Sequence, residues 1–175
     1  MKRPMRGAVA ALLAVLTAFT ISAPATAKRS GNQTFKGVIV ASGASGTRKV
    51  VRSGVLARGA LRGVGHVVEV ANLPGDPATV SRDDLVFAAG TMHLRNVTVD
   101  TSVSLNSTSC VYSIRRKQTG TVVGGTKLLA AATGSYAGTV TAWGLARRTA
   151  DGKCAMDQPP LYELDTFVTS GSLSL

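Results

Sequence analysis

The chain has 175 residues, one domain's worth, with 20 Lys and Arg against 9 Asp and Glu and a formal charge of +11. Aromatic residues make up only 5%, so the basic side chains lack the stacking platform of single-strand binders, and no specific nucleic-acid binding is expected. After the N-terminal region no segment is apolar for the roughly 20 residues that a membrane-spanning helix needs.

Lys2, Arg3 and Arg6 precede an uncharged, mostly apolar run from Gly7 to Ile21, and Pro24 leads into the small-x-small triplet Ala25-Thr26-Ala27. This pattern predicts a signal peptide over residues 1–27, cut between Ala27 and Lys28, and a secreted, extracellular product. Removing it leaves 17 basic residues against 9 acidic ones, a charge of +8. Residues 28–32 are expected to be a flexible segment and residues 33–175 a single domain.

From there the pattern is strand-like: short runs rich in Val, Thr, Ile and Ser, broken by Gly, Asn, Asp and Pro. Gln33 to Ala41 forms the first expected strand, and Ser42 to Gly46 a turn. Lys49 to Ala57 and Val64 to Ala71 follow, before the breaker Leu73 to Pro77. Asp84 to Phe87 and Thr91 to Leu94 read as a hairpin around Ala88-Ala89-Gly90. Met92 and Leu94 share one parity and Val97 and Val99 the other, which predicts a bulge near Arg95 and Asn96. Cys110 to Ile114, Gly120 to Val123, Ser135 to Arg147 and Tyr162 to Leu175 complete eight or nine strands. Only Leu128 to Ala132 joins good helix formers, and five residues make no more than a turn. The expected fold is all-β, a sandwich or a closed or nearly closed antiparallel barrel of about eight strands with one short helical turn.

Cys110 and Cys154 are the only cysteines, and in an exported chain the pair predicts one disulfide. Closing that loop contributes roughly 4 kcal/mol in the chain-entropy model.

Recognised catalytic spacings are missing. Gly124-Gly125-Thr126-Lys127 fits neither a phosphate loop nor a dinucleotide fingerprint, and its glycines read as a backbone corner. No G-x-S-x-G elbow occurs. His66 and His93 lack zinc-ligand spacing, so neither a metal nor a cofactor is expected. Glu69, in V-V-E-V-A, is the one weak candidate for acid–base work, since a carboxylate turned into a barrel would be desolvated. Alternation equally lets it point away from Val68 and Val70, and the outward direction is the expected one. Asp83-Asp84 reads as a solvated or capping pair at a turn, and Glu163 and Asp165 as a solvated edge. Trp143 is a weak candidate for the floor of a ligand cavity, with simple core packing as the expected role. Asn32, Asn96 and Asn106 begin N-x-[ST] sequons, relevant only in a glycosylating host.

The stretch G-G-T-K-L-L-A-A-A-T-G, Gly124 to Gly134, resembles the G-G-T-G-x-[FY]-x-x-A-x-G signature of allene oxide cyclase-like and dirigent-like barrels. Gly120 to Thr126, Ser109 to Tyr112, Asp151 to Cys154 and Ser170 to Leu175 also look like segments of secreted actinobacterial barrel-like proteins, so that the likeness spans most of 33–175. Lys127 stands in place of the third glycine and Leu129 in place of the aromatic. The resemblance implies the barrel. It places none of the cyclase's acidic and amide pocket residues, nor the dirigent carboxylates, on positions of this chain. The function expected is therefore a non-enzymatic extracellular module, binding a small hydrophobic ligand in its barrel or an anionic cell-envelope polymer through its basic surface. Arg115, Arg116 and Lys117 are the central basic group. The alternative is an isomerase or cyclase acting on a bound hydrophobic substrate.

Overall fold

A computed structural model describes residues 29–175; the predicted cleavage site at Ala27 and Lys28 lies outside them. Eight strands close an antiparallel barrel: β1 (Ser30–Ser42), β2 (Lys49–Gly59), β3 (Gly63–Val70), β4 (Val80–Phe87), β5 (Gly90–Leu105), β6 (Val111–Gly125), β7 (Thr133–Leu145) and β10 (Tyr162–Ser174). Around the barrel the order is β1-β10-β7-β6-β5-β4-β3-β2, while β8 (Arg147–Arg148) and β9 (Cys154–Ala155) make a separate two-stranded ribbon. Among the described residues the one helical element is a single 3-10 turn, Lys127–Leu129. The all-β barrel is as the sequence predicts.

Several bounds differ from expectation. β1 begins at Ser30, with Ser30 to Asn32 paired to Ser172 to Ser174, so most of the supposed flexible segment is strand. β6 joins two expected strands, because Arg116 and Gln118 continue the inward phase with polar side chains that break the apolar pattern. On β5 the inward phase runs unbroken through Met92, Leu94 and Asn96. The register shifts instead on either side, between His93 and Leu94 and between Thr98 and Asp100.

One end of the barrel is packed shut. Phe35, Val55, Ala57, Leu61, Phe87, Met92, Val122, Leu129, Ala132 and Leu173 form its core, and Leu129 is carried into it by the 3-10 turn. That turn is the corner expected around Gly124. Gly124 has φ 133° and Lys127 φ 51°, Thr126 N–H donates to the Thr91 carbonyl at 2.9 Å, and the Thr126 hydroxyl accepts from Thr91 N–H at 3.0 Å. A side chain at Gly90 would collide with the Thr126 carbonyl.

At the opposite end the barrel stays open, through two sequence devices. Three inward glycines face aromatic rings directly across the ladder: Gly37 opposite Phe167, Gly120 opposite Tyr136 and Gly144 opposite Tyr112. At each, a Cβ would overlap the ring, so the glycine lets the ring lie flat on the wall. Second, β2 and β3 pair only from Val55 to Ala57. Beyond that the Ser53 hydroxyl fills the ladder, donating to the Val67 carbonyl at 2.7 Å and accepting from Val67 N–H at 3.0 Å. Towards the rim the two strands part.

Cys110 and Cys154 are bridged, Cα to Cα 5.4 Å, which ties the β5–β6 loop to the ribbon beside the open end. Tyr112 and Ala146 pack against this bridge.

Candidate functional site

The open end leads into a cavity of about 600 Å³. Its floor is apolar, from Phe35, Ile39, Val67, Leu85, Leu94 and Phe167, while Arg48, Glu69, Asp83, Arg116, Glu163 and Asp165 line its upper wall. Phe35 and Tyr136 meet edge to face at 6.3 Å between ring centres. A concave, largely preformed hollow with an apolar floor and a few convergent polar groups is the usual form of a small-molecule site.

Arg48 organises the rim. It sits just before β2, and its guanidinium reaches Glu69 at 2.5 Å, Glu163 at 2.7 Å and Asp165 at 2.9 Å. The Arg48–Glu69 pair spans the gap where the β2–β3 ladder has ended, so side chains continue the barrel wall that the backbone abandons. Burial works against the Arg48 charge, but the hydrogen bonds and charges of Glu69 and Glu163 outweigh it and hold the guanidinium above its ordinary value. Tyr112 donates to the other Glu163 oxygen at 2.5 Å. Burial first, then this bond to Glu163, keeps its phenol protonated well above the usual range.

Asp165 accepts from Arg48 through Oδ2, while its buried Oδ1 has no partner. Its carboxyl is pushed up to about 6, chiefly by burial and then by the charge of Glu163, against the pull of Arg48. Asp83 behaves similarly, raised to about 6 by burial and by the charge of Glu69, although Asn96 donates to it at 2.7 Å. The Asn96 carbonyl oxygen in turn accepts from the Tyr136 hydroxyl at 2.6 Å. A chain of Tyr136, Asn96 and Asp83 thus runs up the wall, and it orients the Asp83 carboxyl.

The structure corrects most of the residue-level expectations. Glu69 does not turn away from the barrel; it lines the cavity mouth, paired with Arg48. Glu163 and Asp165 are buried wall residues, not a solvated edge. Asp83 lies inside, while Asp84 is outside and meets His93 at 2.7 Å. Trp143 is neither floor nor core: it is 45% exposed on the outer face, so it cannot line the cavity. Of the basic group, Arg116 turns inward, and Lys117 pairs outside with Asp100 at 3.0 Å. Asn96, beginning a sequon, is buried and committed to Asp83 and Tyr136.

Arg48, Asn96, Tyr112 and Tyr136 do not stand out as site residues in the sequence, where Asp83 reads as a solvated or capping turn residue and Arg116 as part of a basic surface group. A period-two signal was present: Asp83 shares parity with Leu85 and Phe87, and Glu163 and Asp165 with Phe167 and Leu173. On β3 that signal misleads, since Val64 and Val68 are exposed apolar residues on the outer face. Nothing local marks Arg48, whose partners lie on β3 and β10.

Among the described residues no cluster of His, Cys, Asp and Glu is arranged to hold a metal ion. In comparisons with protein-family models, curated proteins and solved structures, nothing matched this chain.

Proposed function

We propose that this barrel is a receptor for a small molecule, an extracellular module whose ligand rests its apolar body on the floor and its polar end against the upper wall. The open cavity of about 600 Å³ carries this reading, since most inward positions near the rim hold polar side chains or glycines instead of core. The disulfide supports export, because such bridges persist in oxidising compartments. Kinship with the allene oxide cyclase-like and dirigent-like barrels belongs to the same proposal, supported by the closed eight-stranded sheet and the glycine-bounded 3-10 turn.

Native mass spectrometry of the secreted protein, together with Nile red titration, tests the reading. A co-purified adduct or saturable Nile red fluorescence is expected, and Val140→Trp, which puts an indole into the cavity, abolishes it. No adduct, with dye binding either missing or unchanged by the tryptophan, would overturn the proposal.

A second reading, acid–base isomerisation or cyclisation of the ligand, rests on Asp83. Its carboxyl titrates near 6 and is oriented by Asn96, so it can hold or release a proton close to neutral pH. Turnover that vanishes in Asp83→Asn while binding persists would favour this reading over simple binding.

A further inference from the structure

Four of the nine acidic residues in the sequence, Glu69, Asp83, Glu163 and Asp165, line this one cavity. The chain as a whole has more than twice as many basic as acidic residues, so composition does not produce the concentration. Three arginines line the cavity with them, Arg48, Arg116 and Arg82, the last already taken by Asp76 at 2.7 Å. The interior is therefore acidic within a basic protein.

Two carboxylate oxygens there lack a donor. Asp165 is 5% exposed, it lines the cavity, and its buried Oδ1 has no hydrogen-bond partner. Asp83 uses Oδ2 for Asn96, and among the described residues no donor reaches its Oδ1. A buried acceptor left unmade is costly. The three carboxylates around Arg48 already show what this wall holds well: a nitrogen cation, with donors 2.5 to 2.9 Å from the oxygens. Phe35, Tyr136 and Phe167 also line the cavity.

From this geometry, and resting on the small-molecule reading above, we infer that the ligand is a lipophilic amine, its ammonium group donating to Asp165 and Asp83 while its apolar body lies on the aromatic floor. A carboxylate ligand fits worse. It would face four carboxylates, with Arg116 the one cation on the wall that no carboxylate of the described residues pairs.

Isothermal titration of the disulfide-intact protein at neutral pH with 4-phenylbutylamine, 4-phenylbutan-1-ol and 4-phenylbutanoate separates the possibilities. The amine is expected to bind at least about ten-fold more tightly than the alcohol, the worth of one charge-assisted hydrogen bond, and the acid most weakly. Asp165→Asn should erase most of the amine's advantage over the alcohol. Asp83→Asn serves as the second variant should the first misfold by circular dichroism. Alcohol or acid binding as tightly as the amine, or an amine advantage that survives both substitutions, overturns the inference while the cavity keeps its role as a binding site. Failure of all three to bind at millimolar concentration removes both.

Discussion

Asp83→Asn isolates the energetic burden of an ionised carboxylate in the barrel wall. The Asp83 carboxyl titrates near 6 in the fold, against 3.8 for the unperturbed group. Between those values the native state binds more protons than the unfolded chain, so stability falls as pH rises through this window. About two pH units correspond to about 3 kcal/mol when the group is fully screened from water; partial solvent access at the mouth reduces this to roughly 1–2 kcal/mol. Asparagine has nearly the same shape, and its carbonyl can still accept from Asn96. The variant should match the parent's stability at pH 4 and exceed it by roughly 1–2 kcal/mol at pH 7.5. Urea unfolding at pH 4, 5, 6 and 7.5, with the disulfide intact, measures the difference. An equal effect at all four pH values, or destabilisation that grows with pH, would refute the assignment of burial as the dominant cause.

Arg48→Met leaves Glu163 and Asp165 without their counter-ion; a loss of roughly 2 kcal/mol is expected at pH 7.5, shrinking at pH 5 as Asp165 takes up a proton, both read from chemical denaturation. Gly144→Ala drives a methyl into the Tyr112 ring and breaks its bond to Glu163, so a cost of about 1–3 kcal/mol should appear in thermal unfolding, larger than for Ala at Gly54, which has open space. Leu129→Ala removes the plug of the closed end and should cost about 2–5 kcal/mol by urea titration. Replacing both cysteines with serine is expected to lose about 4 kcal/mol, measured against the oxidised parent.

The barrel was legible in the sequence because its closed half obeys simple alternation, as in Leu85 and Phe87 or Met92 and Leu94. The site was not, because its half of each strand replaces inward apolar residues with Glu69, Asp83, Asn96, Arg116, Glu163 and Asp165. A polar residue on a strand reads as solvent-facing unless the parity of its neighbours is carried through it. At β3 even that rule fails, because Val64 and Val68 are apolar and exposed. Arg48 was hidden for another reason: its role depends on carboxylates 21, 115 and 117 positions away. The disulfide, by contrast, followed from having two cysteines and a leader-like N-terminus.

The seam between β1 and β10 also shapes how this molecule must be made. Ser30 to Ala41 find their partners in Glu163 to Ser174, the pairing most distant in sequence. During synthesis β1 and β7 each present an unpaired edge until β10 emerges, and such edges recruit other chains. Closing the loop between β1 and β10 carries the largest loop-closure entropy of any ladder in the barrel. The last strand also carries Glu163 and Asp165, so the acidic wall is incomplete until the sheet itself closes.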